Sequence, residues 1–239
     1  MAAAGDAAEA FQTFTNDYVQ VIAYQGAFML ATIWIVYNGV GGGIERYCKV
    51  MMPSLYIILA ILMVRSLTLE GAMKGVEFYL KPDISKLTAR TVMGALGQAF
   101  FSLSIGMGCM ITYGSYLSDR ESLPSSVFIV TVMNVAVAIL VGFVIFPAVF
   151  AFNMEPSSGP GLIFVTLPAV FARMPMGSLF SFLFFTLLFF AAVTSSVSLL
   201  EVCVAYMKDE FRWDRGRAAW IIGLARFLLG IPSALSLGD

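Results

Sequence analysis

The hydrophobic pattern divides most of the chain into six long apolar segments separated by short polar ones. These segments cover residues at about 19–39, 44–66, 88–118, 123–152, 177–207 and 216–236. Because a helix needs about 20 apolar residues to cross the hydrocarbon core of a bilayer, the pattern predicts six membrane helices. The longer segments are expected to tilt, break or project into water. The predicted fold class is an all-α integral membrane protein.

The polar segments between the spans predict short connections. A corner is expected from Asn38 to Gly43, just before the charged residues that open the second span. Residues 66–89 are predicted to form a mixed loop with a turn at Pro82 and Asp83, because proline followed by aspartate favours chain reversal.

Two further segments are expected to stay outside the hydrocarbon core. Residues 1–18 form a non-membrane amino-terminal segment without Lys or Arg, which excludes an ordinary signal peptide. Residues 19–239 form the membrane domain. Within it, residues 156–175 are too polar at their start and too interrupted by proline to cross. They are predicted to form two short amphipathic helices, bent at Pro168, that lie on the membrane surface as a lid.

The distribution of basic residues predicts the orientation in the membrane. Alternate loops hold seven Lys and Arg residues on one side and six on the other. The seven are concentrated in tight corners, and four of them lie in residues 208–217. The positive-inside rule therefore places this first side in the cytoplasm of a cell (inner) membrane.

Composition supports the membrane assignment and excludes several functions. The chain is 59% hydrophobic and 12% charged, which is far more apolar than a soluble domain. A net charge of -1 provides no basic surface, so no nucleic acid partner is expected. The chain has no histidine, and its three cysteines lie far apart. Neither a zinc site nor a disulfide framework is indicated, and with so few groups suited to catalysis no enzyme is expected.

The third predicted span contains polar and small residues where a membrane helix is normally apolar. Residues 98–108 read QAFFSLSIGMG. A helix break from Ser102 to Gly108 would expose carbonyl and amide groups that lipid cannot solvate, so something polar would have to lie against it. Two half-helices meeting at such a break suit a cation and a carboxylate. The alternative is a glycine-rich helix that packs closely against a neighbour.

Spans four and five carry the other polar side chains. On span five, the helical repeat places residues 191, 194, 195, 198 and 199 on one face. Thr194 and Ser195 could bind a ligand there, or their hydroxyls could donate to carbonyls one turn earlier. Glu201 is expected to face a cavity or a partner, because an acid within a span is costly. Asn134 on span four could form an interhelical hydrogen bond.

Several stretches resemble the neurotransmitter:sodium symporter family, and in particular its bacterial sodium-dependent amino-acid transporters, which have the leucine-transporter fold. The stretches are GGGIERYCKVMMP (41–53), GQAFFSLSIGMGCMITYGSY (97–116), GFVIFPAVFAF (142–152), GPGLIFVTLPAVF (159–171), FFAAVTSS (189–196) and GIPSALSLG (230–238). The resemblance implies a twelve-span fold of inverted repeats, with this chain matching spans four to nine. It further implies that the first three spans, which carry much of the binding site, would come from a larger parent protein.

The resemblance also implies ligands for sodium and for substrate. Ser102 and Asn134 stand at positions of the first sodium site. The Ala191 carbonyl and the hydroxyls of Thr194 and Ser195 stand at the second, and such oxygen ligands suit a hard monovalent ion. The positions that match the amino-acid substrate pocket are Phe101, Ser102, Ser104, Met107, Ser195 and Leu199.

Further positions match gates, a hinge and a chloride site. Phe101 matches the outer aromatic cap of the substrate site, while Tyr116 and Asp209 match the cytoplasmic gate. Gly43 and Pro53 match a motif that permits unwinding of span two, although Pro53 could simply bend a helix. Gln98, Ser102 and Asn134 match three members of a possible chloride site. The fourth position is Ala138 instead of serine, which leaves chloride dependence open.

The function implied is sodium-coupled symport of a neutral amino acid by alternating access. Met107 stands where relatives often have phenylalanine, and its flexible side chain favours large hydrophobic or aromatic substrates. The alternative is a non-transporting helical membrane fragment or assembly partner from a truncated gene. An ion channel is disfavoured, because the motifs resemble a gated pocket and not a filter.

Overall fold

The computed structural model of the chain describes residues 2–81, 83–118, 120–154 and 159–236 and contains ten α-helices in those residues. They are α1 Ala2–Asn16, α2 Tyr18–Tyr37, α3 Arg46–Leu67, α4 Ala72–Leu80, α5 Ala89–Ser102, α6 Cys109–Gly114, α7 Leu123–Ala151, α8 Leu167–Ala172, α9 Gly177–Phe211 and α10 Arg215–Leu235. Two π-helical segments, Val40–Glu45 and Leu162–Thr166, precede α3 and α8, and a 3₁₀ turn covers Ile84–Lys86.

Five of these helices are long and apolar enough to cross a membrane. They are Tyr18–Tyr37, Val40–Leu67, Leu123–Ala151, Gly177–Phe211 and Arg215–Leu235. The remaining predicted span, the third along the chain, is present as α5 and α6, which are each too short to cross and are separated by a non-helical break. The all-α integral membrane class with an interrupted helix is thereby confirmed.

Polar side chains mark where three of these helices begin. Asp17 accepts hydrogen bonds from the amides of Val19 and Gln20, both at 3.1 Å, at the start of α2. Asp214 accepts from the amides of Gly216 and Arg217 at the start of α10. Thr88 and Thr91 form a reciprocal capping box at the start of α5. Such caps satisfy amides that the helix itself cannot pair.

Helix α9 lies between two hydrophobic cores. One core joins α3, α7 and α8 to the first half of α9 through Phe184 and Leu187. The other joins α2 and α10 to its middle through Val193, Val197 and Leu200. Polar residues of α9 that point away from these cores are consequently held by a rigid helix.

Small residues let α2 and α10 approach closely. A methyl group added at Gly223 would collide with the Ile33 side chain, and one added at Gly230 would collide with Gln25. Contact through small residues is typical of membrane helices, where apolar surface alone gives no preference for protein over lipid.

The structure corrects two expectations about these connections. The segment 66–89 is not only a loop, because it contains α4, which packs on α7 through Tyr79 stacked on Phe146. The expected turn residue Pro82 lies outside the described residues, while Asp83 accepts a hydrogen bond from the Ser85 amide. The lid is one helical stretch, in which the π-helical segment Leu162–Thr166 runs directly into α8. Its Pro168 stands near the start of α8 and does not separate two helices, because proline is tolerated in the first helical turn.

The predicted corner from Asn38 to Gly43 is shorter than expected. Only Asn38 and Gly39 form the corner, and Gly39 adopts a φ of 86°. From Val40 the chain is already π-helical, with the amides of Gly43 and Ile44 both donating to the Gly39 carbonyl. The glycines at 41–43 therefore belong to the helix that continues as α3.

Two adjacent glycines in this π-helical segment predict opposite responses to alanine. A Cβ at Gly43 would overlap the Ile35 carbonyl oxygen, whereas a Cβ at Gly42 would meet nothing within 4 Å. Gly43→Ala must shift backbone and is expected to cost about 1–3 kcal/mol, while Gly42→Ala should be neutral or slightly stabilising. Thermal unfolding in detergent micelles measures both. Equal melting temperatures for the two variants would contradict the close approach at Gly43.

Candidate functional site at the interrupted helix

The break in the third span is built from residues that tolerate unusual backbone conformations. Helix α5 ends at Ser102 and α6 begins at Cys109. Between them Ser104, Gly106 and Gly108 have φ values of 53°, 84° and 79°. Glycine adopts this left-handed region at little cost, so the two glycines allow the chain to leave the helical conformation here. Ser104 is the one non-glycine residue of the break in that region, a conformation that marks functional sites more often than ordinary loops.

The break pairs part of its own backbone. The amides of residues 103–105 donate to the carbonyls of Ala99, Phe100 and Phe101, near the end of α5, at 2.9–3.0 Å. The first amides of a helix have no partner within that helix, so those of α6 depend on polar neighbours or a ligand, because lipid cannot satisfy them. The predicted interruption from Ser102 to Gly108 is present, and the alternative of a continuous glycine-rich helix is wrong.

A cavity of about 470 Å³ lies beside the break, between α3, α5, α7 and α9. Its lining brings together every residue predicted to contact substrate, together with the predicted ion ligands Asn134 and Thr194 and the possible chloride ligand Gln98. It also includes three residues that sequence reasoning did not single out for the pocket, Met52, Cys109 and Ser198. The roles of these residues remain predictions, but their convergence on one cavity is a property of the structure.

Ser102 and Asn134 contact each other across the cavity wall. The Ser102 hydroxyl lies 3.0 Å from Asn134 Oδ1 and 2.9 Å from Asn134 Nδ2. This pair joins the end of α5 to the middle of α7. The interhelical hydrogen bond considered for Asn134 is therefore present, and it places two side-chain oxygens where the first sodium site is predicted.

The oxygens of the predicted second sodium site also lie close together. Thr194 and Ser195 both donate to the Ala191 carbonyl at 3.0 Å, and Thr194 is equally close to the Phe190 carbonyl. These are the backward hydrogen bonds that hydroxyls commonly make in helices. They hold three oxygens within contact of one another on a single turn of α9.

A polar contact missed by sequence reasoning ties α6 to α9. Tyr113 donates to the Ser198 hydroxyl at 2.9 Å, and Ser198 in turn donates to the Thr194 carbonyl at 3.0 Å. The half-helix after the break is thereby anchored to the helix that carries the predicted sodium ligands. The helical spacing of Ser198 from Thr194 was visible in the sequence, but its partner on another element was not.

Glu201 is the buried acid whose partner the sequence did not reveal. Its side chain is fully buried and is paired with the guanidinium of Arg215, which also donates from Nε to the Val36 carbonyl at 2.9 Å. Tyr116 donates to Glu201 Oε1 at 2.6 Å. This network connects α2, α9, α10 and the turn that follows α6, and it provides the partner that was expected for an acid within a span.

The two residues predicted at the cytoplasmic gate lie in different environments. Tyr116 contacts Glu201, whereas Asp209 lies about two turns further along α9 in a cleft that also includes Ser115. At the opposite end of the site, the Phe101 side chain is 67% exposed and stands at the rim of the cavity. Pro53 lies inside α3, which continues through it without ending.

A helical membrane bundle with its polar site at a broken helix has the architecture of secondary active transporters. The chain belongs to the Sodium:neurotransmitter symporter family, whose model matches residues 16–238. It is a multi-pass membrane protein of this sodium-dependent transporter family. The resemblance to that family is confirmed.

Individual relatives place the chain among sodium-dependent transporters. It is 44% identical to the sodium-dependent transporter YhdH of Bacillus subtilis over 95% of this chain and 51% of the relative. It is 31% identical to the Sodium- and chloride-dependent glycine transporter 2 of Xenopus laevis, over 90% of this chain and 30% of the relative. The chain spans about half the length of the bacterial relatives that it matches.

A solved structure shares both the fold and nearly half of the aligned residues. The crystal structure of MhsT in complex with L-phenylalanine superposes with a TM-score of 0.87 at 48% identity, covering 95% of this chain and 52% of MhsT. The helices of this chain are therefore arranged as the corresponding helices of MhsT are.

The buried network at Glu201 generates a stability prediction. Glu201→Gln leaves the Arg215 cation facing a neutral amide in a dry environment, and breaking a buried pair on one side costs about 3–5 kcal/mol. The matched control is Glu45→Gln. Glu45 pairs with Lys49 on the surface, where the two side chains are 53% and 73% exposed, so no measurable change is expected. Thermal unfolding in detergent should separate the two variants, and equal shifts would mean that burial adds nothing to the Glu201 pair.

Proposed function

We propose that this chain forms part of a sodium-coupled symporter that moves a neutral amino acid with a large hydrophobic or aromatic side chain across the cell membrane. Transport would occur by alternating access in the full-length protein and would leave the substrate chemically unchanged. The observation that carries the proposal is the cavity at the break, where hydroxyl, amide and apolar side chains converge.

The cavity chemistry suits an amino acid. Its polar part, formed by the break, Ser102 and Asn134, can meet charged backbone groups of the substrate. Its apolar part, formed by Phe101, Met107 and Leu199, can meet a hydrophobic side chain. A volume of about 470 Å³ lies within the range of small-molecule pockets. The relative MhsT was solved with L-phenylalanine, which supports a large apolar substrate for this chain as well.

Sodium would be a transported ion at two places. Ser102 and Asn134 would supply oxygens to one ion, and Ala191, Thr194 and Ser195 would supply them to the other. A hard cation prefers such oxygen ligands. Each hydroxyl of the second group keeps its lone pairs while it donates to a carbonyl, so it could contact sodium without giving up that hydrogen bond. A chloride ion at Gln98, Ser102 and Asn134 stays open, because Ala138 offers no hydroxyl.

The opening of the inner path would involve the start of span two. Pro53 cannot donate a backbone hydrogen bond, so the turn before it is weaker than its neighbours. The π-helical segment Val40–Glu45 just upstream is a second departure from regular helix, and such segments are frequent at functional sites. We infer that unwinding between Gly43 and Pro53 admits water toward the sodium ligands of α9, while the Tyr116 and Asp209 region closes the same path.

The sodium role of α9 predicts the effect of removing one hydroxyl. Thr194→Ala or Ser195→Ala deletes an ion ligand and leaves a good helix former, so folding should persist. Because an interaction with a charged group is worth about 1.5–3 kcal/mol, the sodium concentration for half-maximal uptake should rise by about tenfold or more. Uptake of labelled amino acid by proteoliposomes with the full-length protein measures it.

The matched control for these variants is Thr131→Ala. Thr131 also donates backward within its helix, to Val127 at 2.8 Å, but it lies outside the cavity at the break. Its loss should leave the sodium dependence unchanged. If Thr194 and Ser195 variants behave like the Thr131 variant, their hydroxyls serve only the helix and the second sodium site is not at this position.

The pocket composition predicts the order of competing substrates. Each buried methylene contributes about 0.8 kcal/mol, so leucine, phenylalanine and tryptophan should displace labelled substrate at concentrations at least about tenfold lower than glycine or alanine. Met107→Phe should weaken tryptophan more than alanine, because a rigid ring replaces a flexible chain. Met110→Phe is the control, since Met110 lines a different cavity. Stronger competition by glycine or alanine would overturn the assignment to large substrates.

A further inference from the structure

Arg226 is a cation in the middle of a membrane helix. It lies within α10, a candidate span from Arg215 to Leu235, and eleven residues after Arg215 correspond to a depth of about 16 Å along the helix axis. A charged side chain at this depth is costly, and in membrane proteins it usually faces the interior and serves a function. The side chain is partly buried, and α10 packs on both α2 and α9.

The Arg226 guanidinium contacts α9 beside the predicted sodium ligands. Its Nη1 donates to the Ser196 carbonyl at 3.3 Å. The Ser196 hydroxyl accepts from Thr32 Oγ1, also at 3.3 Å, and Thr32 is fully buried. Arg226 is thus held at Ser196, the residue that directly follows Ser195.

The positive charge of Arg226 is not neutralised by an ion pair in the described part of the chain. The described residues of α2, α3, α5, α7 and α10 contain no carboxylate, and α9 contains Glu201 and, at its exposed end, Asp209 and Glu210. Glu201 is already paired with Arg215 and Tyr116. Arg215 and Arg226 of α10 therefore differ, because Arg215 meets a carboxylate and Arg226 meets a carbonyl.

The predicted sodium ligands lie across α9 from this charge. On a helical wheel Ser196 is about 140° from Ala191, and the cavity lining includes Thr194, Ser195 and Ser198 but not Ser196. A helix with side chains is about 10 Å across. The separation between the guanidinium and an ion at the second sodium site is therefore on the order of 10 Å.

The geometry points to Arg226 as a fixed cation that weakens sodium binding at the second site by repulsion through α9. This inference rests on the proposed sodium site. At roughly 10 Å and an effective dielectric constant of about 20, the repulsion between two unit charges lowers affinity by on the order of tenfold. This repulsion would favour release of sodium, because an ion that is bound less tightly leaves more readily once the inner path opens.

The test is the sodium dependence of substrate binding to the purified full-length protein. Arg226→Gln removes the charge and keeps a hydrogen-bond donor on a shorter side chain with the same first carbons. The sodium concentration for half-maximal binding of labelled substrate should fall by about tenfold. Arg226→Lys keeps the charge and should stay near the wild-type value. Arg217→Gln is the matched control, since Arg217 lies on the same helix but is exposed beside Trp213, where solvent and salt screen its charge.

The direction of the change separates this inference from a structural role. If Arg226 only held α9 in place, Arg226→Gln would raise the sodium requirement or leave it unchanged, and either result overturns the inference. An unchanged requirement would also fit neutralisation of Arg226 by a carboxylate or a lipid phosphate in the full-length protein. Substrate binding at saturating sodium verifies that each variant is folded. If the wild-type protein shows no sodium dependence at all, the proposed function fails instead.

Discussion

The inability of lipid to hydrogen-bond a peptide group is the constraint on which this structure depends. In the long spans each helix satisfies its own backbone, so apolar side chains can face lipid without cost. At residues 103–108 the regular helical pattern of the third span is interrupted. Every polar group brought to this place, from Ser102 and Asn134 to the hydroxyls of α9, lies in a region that would otherwise be apolar. The site is the consequence of one interrupted helix.

Helix α9 connects the site to the rest of the bundle. It contributes apolar side chains to both hydrophobic cores on its other faces, so its hydroxyl-bearing turn at Thr194 and Ser195 is held in a fixed position. A site on a packed helix keeps its geometry better than one on a loop. In the proposed transport cycle, the elements expected to move are instead the break and the π-helical start of span two, which are less regular than α9.

Charge in this bundle is placed at few positions, and each has a distinct environment. Glu201 and Arg215 neutralise each other where α9 and α10 meet, and Tyr116 extends the pair to the turn that follows α6. Arg226, on the same helix as Arg215, contacts only a carbonyl oxygen of α9 among the described residues. In a low dielectric environment an unneutralised cation acts over a longer range than it would in water, so its effect reaches the neighbouring face of α9.

Local patterns in the sequence determined the spans and the helix break, because run length and glycine content depend on neighbours along the chain. Most of the cavity residues were predicted from the resemblance to the symporter family and not from such patterns. The same reasoning missed α4 and the π-helical segments, whose residues lie in short mixed stretches without a clear period. Only the tertiary structure decided that Glu201 meets Arg215, that Tyr113 meets Ser198 and that Arg226 donates to the Ser196 carbonyl, next to the predicted sodium ligands. Those contacts join residues on different helices, and their pairing follows from how the helices pack, which no local pattern encodes.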